Sequence, residues 1–239
     1  MFSKKSFLKQ GLQRGSYWIK RSMPGYCAFC LAPTAQGLGW CDACADELPW
    51  NLYACRQCSE PVKHGQRLCG HCLTESPAFL ATQAGLLYQG AIKELIHDFK
   101  FNASPRAGVL LCELMLMTQP QLTGQAFVSV PMHPANARER GFNQSYWLAK
   151  QLSHRLAVPL HTAQRVKRSR SQRTLNRRER ASNLADAFAF QIPPPEHLVI
   201  IDDVVTTGAT GHAMACAALE SGAKRVDIWA VARTPLGKG

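Results

Sequence analysis

The sequence predicts an α/β protein in which a parallel sheet is preceded by a small cysteine-rich domain. Two observations support this prediction. Strand-like and helix-like apolar segments alternate from about residue 80 onwards, whereas eight of the ten cysteines lie between residues 27 and 72. The cysteines stop near residue 74, and Pro77 then interrupts the chain. We therefore expect a first domain over 1–78, which includes a basic N-terminal segment, and a second domain over 79–239.

The composition is that of a folded protein with an excess of basic residues, which indicates either an anionic partner or a solvated basic face. Of the 239 residues, 46% are hydrophobic and 18% are charged, which excludes a largely disordered chain. The net charge of +12 favours nucleic acid, a phosphorylated ligand or an anionic surface as partner. The basic N-terminal segment lacks the apolar core of a signal peptide, and no apolar run is long enough to span a bilayer. We expect a protein without a transmembrane segment in the cytoplasm, with the inner face of the membrane as an alternative location.

The cysteines form four C-x2-C pairs that repeat every 14 residues. Each pair offers two thiolates to one face of a tetrahedral ion, and two pairs complete a closed four-sulfur shell. Such a shell leaves no open position, so we expect two structural Zn²⁺ ions. The predicted ligands are Cys27, Cys30, Cys41, Cys44, Cys55, Cys58, Cys69 and Cys72.

The pairing of these motifs has two alternatives. Sequential pairing gives two zinc ribbons in tandem, and cross-braced pairing joins the first and third motifs on one ion. The sequential form is favoured because each half resembles a self-contained ribbon repeat. A disulfide framework is the other interpretation, and it fits poorly with a cytoplasm that keeps thiols reduced.

The first strands and helices of the second domain follow from apolar periodicity. Segment 81–90 is an apolar strand that ends at a glycine. In 91–101 the apolar residues recur at i, i+3, i+4 and i+7 from Ile92, which predicts one buried face of a helix. Segment 107–117 is almost continuously apolar and predicts a buried helix, and 126–134 is a short β-branched strand that two prolines stop.

The later segments continue the alternation. Segment 143–157 is a helix that begins at a capping asparagine, and 184–190 is a candidate strand. The run 197–203 is a buried strand, 208–223 is a helix that ends near a glycine, and 225–234 is the last strand. Strands that alternate with helices predict a parallel sheet covered on both faces, with ligand sites beyond the carboxyl ends of the strands.

Two adjacent acids, Asp202 and Asp203, lie at such a carboxyl end, within the stretch LVIIDDVVTTGATG. The turn that follows offers backbone N–H groups, hydroxyls and the amino end of a helix to a phosphate. It consists of Thr206, Thr207, Gly208, Ala209 and Thr210. The carboxylates would repel a phosphate, but they suit ribose hydroxyls, which need acceptors. The pattern therefore predicts a ribose 5-phosphate ligand; a capped helix with two solvated acids is the simpler alternative.

This stretch resembles the phosphoribosyl-pyrophosphate (PRPP) signature of type I phosphoribosyltransferases, and the resemblance extends over about 80–239. It implies the type I phosphoribosyltransferase fold, ribose on the acid pair, the 5′-phosphate on the turn, and Mg²⁺ bound together with PRPP. The segment 130–145 resembles the pyrophosphate loop of that family. Its candidate residues are His133, Arg138, Arg140 and Gly141.

A basic stretch between Arg165 and Arg180 occupies the position of the flexible loop in that family. Its further cations are Lys167, Arg168, Arg170, Arg173, Arg177 and Arg178, opposed only by Glu179. Eight cations exceed the needs of one pyrophosphate, so the stretch favours a track for the backbone of single-stranded DNA. A mobile solvated loop and a pyrophosphate clamp are the alternatives. Because the stretch holds no aromatic residue, base stacking would fall to Phe142, Tyr146 or Trp147.

The cysteine pairs, the helix at 91–101 and the segments above together resemble the ComF family of competence proteins over nearly the whole chain. That family joins a double zinc ribbon to a phosphoribosyltransferase domain, and it is associated with the uptake or use of external DNA. The resemblance implies a factor that handles single-stranded DNA, binds PRPP or a related ligand, and contacts DNA-uptake proteins. An active phosphoribosyltransferase acting on an unknown amine or base, and a zinc-ribbon adaptor for uptake proteins, are the alternatives.

Overall fold

A computed structural model of the chain describes residues 25–34, 39–118, 125–132, 141–166 and 187–237. The chain divides into two compact units, the first ending at Leu48 and the second beginning at Pro49. The second set of four cysteines therefore belongs to the same unit as the sheet. Our boundary at residue 78, which groups both cysteine sets in one domain, stays a prediction.

The first unit is a small antiparallel ribbon followed by one helical turn. Strand β1 (Gly25–Tyr26) pairs with β2 (Pro33–Thr34), and the short helix α1 spans Asp42–Asp46. The backbone N–H of Cys27 donates to the carbonyl of Ala32 at 2.8 Å and closes the turn between the strands. This turn carries the first cysteine pair.

The second unit contains the remaining helices and strands. In chain order they are α2 (Gly70–Thr74), β3 (Ala81–Leu87), α3 (Gly90–Phe101), α4 (Pro105–Met117), β4 (Ala126–Ser129), α5 (Gln144–Leu156), β5 (Leu160–His161), β6 (Gln164–Arg165), β7 (Phe188–Ala189), β8 (His197–Val205), α6 (Ala209–Glu220) and β9 (Arg225–Arg233). Strands β3, β4 and β9 are shorter than predicted because prolines and turn residues were counted into the predicted ranges, whereas β8 extends two residues beyond its predicted end.

Five of these strands form one sheet in the order β3–β9–β8–β4–β5, and all neighbours are parallel. Strands β8 and β9 lie in the interior of the sheet and are buried along most of their length, as their continuous apolar sequences predict. The predicted α/β class with a parallel sheet is confirmed. Because the strands are parallel, β4 and β8 deliver their carboxyl ends to the same edge, next to the amino ends of the helices that follow.

Three strands of the second unit, β5, β6 and β7, differ from the sequence-based prediction, and β6 was not predicted. Strand β5 was not predicted, since two residues are too short to show a period, yet Leu160 pairs with Phe127 of β4. The predicted strand at 184–190 exists only as Phe188–Ala189 among the described residues, and it pairs antiparallel with β6 outside the main sheet. Apolar alternation indicates a strand but not its partner.

The amino ends of α4 and α5 are capped by side chains. The hydroxyl of Ser104 accepts a hydrogen bond from the N–H of Ala107 at 3.3 Å, and Pro105 occupies the first turn of α4. Asn143 caps α5, as predicted, by accepting from the N–H of Tyr146 at 3.1 Å. The capped end of α5 is important below because it lies at the candidate site.

The free edge of β3 is covered by the chain that carries the second cysteine set. The backbone N–H of Asn51 donates to the carbonyl of Gly85 at 2.9 Å. The buried hydroxyl of Ser59 donates to the carbonyl of Thr82 at 2.7 Å and accepts from the N–H of Ala84 at 3.1 Å. These bonds satisfy the backbone of an edge strand that would otherwise be open to pairing with another chain.

The core of the second unit lies between the sheet and its helices. Trp229 and Phe127 meet edge to face, with ring centroids 6.0 Å apart, and both are fully buried. Helix α3 buries Ile92, Ile96 and Phe99, which lie on the face that its periodicity predicts. None of the helices in the described part of the chain combines the length and the apolar character needed to cross a bilayer.

Candidate functional site

The acid pair lies near the carboxyl end of β8, beside the amino end of α5. Asp202 Oδ1 accepts hydrogen bonds from the hydroxyl of Ser145 at 2.8 Å and from the backbone N–H of Asp203 at 2.9 Å. Asp203 is buried, and its Oδ1 accepts from the N–H of Val204 at 2.7 Å. The orientation of Asp202 is thus set by a side chain 57 residues earlier in the chain.

A lysine pairs with the second acid. Lys100, in the last turn of α3, places Nζ 2.6 Å from Oδ2 of Asp203, and the two side chains are 20% and 10% exposed. The amide of Gln144 donates to the backbone carbonyl of Lys100 at 3.3 Å, which ties the end of α3 to the start of α5. Neither Ser145 nor Lys100 is among the site residues that the sequence predicts, because the segments that carry them meet only in the folded chain.

The surroundings of the acid pair raise the pKa of Asp202 to about 7. Burial is the main cause, and the negative charge of Asp203 acts in the same direction. The hydrogen bond from Ser145 and the positive charge of Lys100 act in the opposite direction and are outweighed. The pair therefore carries less than two full negative charges near neutral pH.

The turn after β8, which the sequence predicts as a phosphate site, leads directly into α6. Gly208 lies at φ +79°, a left-handed conformation that favours glycine, and it occupies the position before the first residue of α6. The hydroxyl of Thr207 accepts from the N–H of Ala209 at 3.3 Å. Thr206 is exposed, and Thr207 to Thr210 are partly exposed. The amino end of α6 is therefore accessible to an anion.

Asp202 and the turn border one small cleft of about 30 Å³. Its lining combines an apolar base with the polar groups named above. The lining residues are Val130, Ile200, Asp202, Val204, Val205, Thr206, Gly208, Thr210, Gly211 and Ile228.

The turn rests on a buried phenylalanine from the segment before β3. Phe79 is 1% exposed, and its ring lies 3.6 Å from the positions that a Cβ would take at Gly208 and at Gly211. The N–H of Ala78 donates to Nδ1 of His212 at 3.0 Å, so the same segment also contacts α6. Phe79 and Ala78 support the predicted phosphate turn without bordering the cleft.

The segment predicted as the pyrophosphate loop is described only at its ends. Gly141 is exposed and lies at φ +76°, whereas His133, Arg138 and Arg140 lie outside the described residues. The amide of Asn143 donates to the carbonyl of Val130 at 3.0 Å. This bond holds the two ends of the segment together next to the acid pair, where a pyrophosphate loop belongs by the resemblance.

The basic stretch also falls largely outside the described residues; this holds for Lys167, Arg168, Arg170, Arg173, Arg177, Arg178 and Arg180. Its first cation, Arg165, is described. The guanidinium of Arg165 lies 5.5 Å from the ring centroid of Phe188, in the small β6–β7 sheet. Arg165 therefore belongs to the folded part of the chain.

The three aromatic candidates for base stacking differ in exposure. Phe142 and Trp147 each pack edge to face on the buried ring of Phe99, with centroids 5.3 Å apart in both pairs. Tyr146 is 47% exposed. Of these three residues, Tyr146 alone presents a large ring surface to solvent.

The cysteines gather into two sets in sequential order, and within each set the sulfur atoms lie within 4.8 Å of one another. The sets are Cys27, Cys30, Cys41, Cys44 and Cys55, Cys58, Cys69, Cys72. The Sγ atoms of Cys30 and Cys41 are 3.7 Å apart, and those of Cys58 and Cys69 are 3.5 Å apart. A tetrahedral zinc–sulfur shell has edges of about 3.8 Å, so both sets fit zinc.

The two sets differ in exposure. All four cysteines of the second set are buried, whereas Cys30 of the first set is exposed. Burial raises the pKa of the Cys27 thiol, but N–H groups from Cys30, Cys41 and Phe29 outweigh it and lower that pKa to about 6. A thiol already biased towards the thiolate is suited to bind a metal.

Comparisons with known proteins agree with these features. Residues 19–73 match the model of the double zinc ribbon domain. The chain is 34% identical over 224 residues to the DNA utilization protein YhgH of Salmonella typhimurium, covering 89% of this chain and 99% of that protein. It is 27% identical over 208 residues to competence protein F of Haemophilus influenzae, covering 82% and 90% of the two chains.

Among solved structures, the chain is similar to orotate phosphoribosyltransferase from Aeropyrum pernix, with a TM-score of 0.35 and 19% identity. That similarity covers 54% of this chain and 61% of the other. The YhgH relative is more than 30% identical and is matched over most of both chains. The chain therefore belongs to the ComF family of competence and DNA-utilisation proteins.

Proposed function

We propose that this chain handles single-stranded DNA in the uptake or use of external DNA, and that its sheet domain binds PRPP or a related ribose 5-phosphate ligand. The names of the relatives support the first part. The observation that carries the second part is the pairing of two kinds of group at one cleft. The carboxylate of Asp202, which is adjacent to Asp203, and the amino end of α6 both border this cleft.

The uncharged hydroxyls and the charged phosphate of the ligand would bind different groups of the site. Ribose hydroxyls donate to the carboxylates, and the 5′-phosphate accepts from N–H groups of the turn around Gly208. The hydroxyl of Ser145 already holds Asp202 in one orientation, so less ordering is needed when the ligand binds. The left-handed conformation of Gly208 brings the backbone close to the phosphate without a side chain between them.

A Mg²⁺ ion would accompany PRPP and neutralise its diphosphate. Carboxylate oxygens are suitable ligands for this ion, and Asp202 borders the cleft. Within the described ranges, however, the only clusters of three or more metal-binding side chains are the two cysteine sets. The ion would thus take most of its oxygen ligands from the bound molecule and from water.

The DNA-binding part rests on charge and on an exposed ring. The chain carries a net charge of +12, and seven cations fall within 167–180. Lys and Arg side chains bind the phosphates of a single strand without reading its sequence, and aromatic rings stack on its bases. Tyr146, two residues after the start of α5, supplies an exposed ring.

A second candidate function is transfer of the ribose 5-phosphate group to an amine or base. The ordered acid pair favours it, because a site with one fixed acceptor geometry is suited to position a reacting sugar. In that reaction the bond from C1 to the diphosphate oxygen breaks, diphosphate leaves with the electron pair, and an amine nitrogen bonds to C1 and releases a proton. Diphosphate release that depends on an added amine would demonstrate it.

Calorimetric titration tests the ligand. PRPP with Mg²⁺ is added to the wild-type protein and to the double variant Asp202→Asn/Asp203→Asn, with Glu94→Gln, an exposed acid on α3, as control. We expect binding by wild type and the control, and a loss of at least about ten-fold in the double variant. Equal affinity in all three proteins would exclude the acid pair as the ribose site.

Electrophoretic mobility shift tests the DNA partner. A fluorescent single-stranded oligonucleotide is titrated with the protein over a series of salt concentrations, with and without PRPP. Binding through phosphates weakens steeply with salt. If no complex forms even at low salt, single-stranded DNA is not the partner, whatever the outcome with PRPP.

A further inference from the structure

Lys100 pairs with the ribose-binding acid of the proposed site although it comes from a different part of the chain. Its Nζ lies 2.6 Å from Oδ2 of Asp203, and the side chains are 20% and 10% exposed. An ion pair shielded to this degree is stronger than one on the open surface, because less water screens it. In the free protein, Oδ2 of Asp203 is therefore already paired with the ammonium group of Lys100.

The backbone that carries Lys100 is held firmly, whereas its side chain is long and rotatable. Phe99, the preceding residue, is buried and packs against the rings of Phe142 and Trp147. Gln144 donates to the carbonyl of Lys100 itself. A lysine has four methylene groups beyond this anchored backbone, so Nζ is able to change partners while the helix stays in place.

A bound ribose-phosphate ligand would change the hydrogen-bond partners of the acid pair. Its hydroxyls donate to carboxylate oxygens and compete with Nζ for Asp203. The bond from Ser145 to Asp202 uses another oxygen and is compatible with the bound ligand. An ammonium group displaced from Asp203 remains near the acid pair and has lost its charge partner, which costs free energy unless a second anion replaces the carboxylate.

We propose that Lys100 is a positioning and specificity-determining residue that pairs with Asp203 in the free protein and turns to a second anionic group of the ligand in the complex. This inference rests on the proposed function and adds a selection rule to it. A ribose 5-phosphate that carries a diphosphate at C1 gains the contact with Lys100, whereas ribose 5-phosphate alone does not. The lysine thereby makes the site select ligands that carry a second anionic group in addition to the 5′-phosphate.

The test compares the affinities for PRPP and for ribose 5-phosphate, both measured by calorimetry with Mg²⁺. The quantity of interest is the ratio of the two affinities in each protein. The variants are Lys100→Met, which removes the charge but keeps much of the length, and Lys100→Arg, which keeps the charge. Lys93→Met, an exposed lysine on the same helix, is the matched control.

We expect Lys100→Met to reduce the preference for PRPP about ten-fold or more, the effect of losing one hydrogen bond to a charged group. Lys100→Arg and Lys93→Met are expected to retain most of that preference. Ribose 5-phosphate itself should bind Lys100→Met at least as tightly as wild type, because the competition between Nζ and the hydroxyls is gone. A purely structural ion pair would instead weaken both ligands by the same factor and leave the ratio unchanged, and that result overturns the inference.

A second variant, Asp203→Asn, tests the same exchange of partners independently, in case Lys100→Met does not fold. In Asp203→Asn the lysine loses its partner in the free protein but stays available to the ligand, so the preference for PRPP should persist or increase while both affinities fall. A lost preference in Asp203→Asn would contradict the exchange of partners. If the wild-type protein binds neither ligand, the proposed function fails and this inference fails with it; if it binds both equally, only the inference fails.

Discussion

Arg233 and Glu60 form a shielded ion pair although 173 residues separate them. Nε and Nη2 of Arg233 lie 3.1 and 2.9 Å from Oε2 of Glu60, and the arginine side chain is 1% exposed. Oε1 of the same glutamate accepts from the N–H of Leu236 at 2.9 Å. Glu60 lies between Cys58 and Cys69 of the second cysteine set, and its carboxylate thus anchors the carboxyl end of β9.

The substitution Glu60→Ala is expected to destabilise the protein by about 3–5 kcal/mol, because it leaves a buried guanidinium without its charge partner. Urea unfolding of the zinc-loaded protein measures this loss. Glu196→Ala is the matched control, since Glu196 pairs with Lys224 on the surface, where both side chains are more than 60% exposed. An exposed pair contributes at most about 1 kcal/mol. Equal losses in the two variants would show that the Arg233 contact does not anchor the second unit.

The substitution Phe79→Leu is expected to weaken ligand binding from outside the cleft. The smaller side chain leaves space under Gly208 and Gly211, and the phosphate turn loses support. We expect a loss of stability of about 1–2 kcal/mol and a loss of PRPP affinity of about five-fold, which corresponds to about 1 kcal/mol. Urea unfolding and calorimetry measure the two quantities.

Phe127→Leu provides the comparison for this variant. Phe127 is equally buried, but it packs on Trp229 within the sheet and does not contact the turn. It should lose similar stability and keep its ligand affinity. A parallel fall in affinity in both variants would mean that general destabilisation, and not support of the turn, explains the effect of Phe79.

How much of this arrangement the sequence predicts depends on how local each feature is. The cysteine pairs, the acid pair at Asp202 and the cap at Asn143 are defined by neighbours in the chain, and spacing alone indicates them. Lys100 and Ser145 reach the acid pair only because the carboxyl ends of α3 and β8 and the amino end of α5 come together. Periodicity predicts that these elements exist, but it carries no information on which of their ends meet.

The same limit explains the placement of the second cysteine set. Spacing predicts two equivalent ribbons, and nothing in the spacing distinguishes them. The difference comes from residues between the cysteines: Ser59 bonds to β3, and Glu60 bonds to Arg233. A serine and a glutamate are ordinary surface residues in a sequence, so their burial against the sheet gives no local signal.

Zinc is expected to leave the two sites at different rates. Cys30 is exposed in the first set, whereas the second set is buried and joined to the sheet. With a chromogenic zinc chelator in excess, we expect one equivalent to be released quickly and one slowly. Cys30→Ser should abolish the fast phase and leave the unfolding of the sheet domain unchanged, and Cys58→Ser should lower its melting temperature. A single phase that both substitutions affect alike would contradict this assignment.

The basic stretch is expected to determine the salt dependence of DNA binding. Replacing Lys167, Arg168 and Arg170 with glutamine should reduce the slope of log affinity against log salt by about 2, because each contact with a single strand contributes about 0.7. Mobility shift over a salt series measures the slope. A triple glutamine variant of Lys93, Arg106 and Lys150, which are exposed on helices, removes the same charge elsewhere. If the slope falls more in this control variant than in the variant of the basic stretch, the DNA contacts the helices and not the basic stretch.

The titration of Asp202 is expected to lower the free energy of unfolding as the pH rises. Its pKa is raised from 3.8 to about 7, so between these values the folded protein retains a proton that the unfolded chain releases. Stability then falls with increasing pH across this window, on the order of 1.4 kcal/mol per pH unit at most. Asp202→Asn lacks this titration. We therefore expect the variant to gain stability over wild type from pH 5.5 to pH 7 and to hold that gain at pH 8.

Urea unfolding of both proteins at pH 5.5, 6.5, 7 and 8 measures the difference, and contributions common to the two, such as the zinc sites, cancel. Asp98→Asn is the control, since hydrogen bonds from Asn102 and Ser104 lower the pKa of Asp98 and keep it ionised throughout this range. Its stability difference from wild type should not vary with pH. If the Asp202→Asn difference is equally flat, Asp202 is ionised in the free protein at pH 5.5, and the site then carries its full negative charge before any ligand binds.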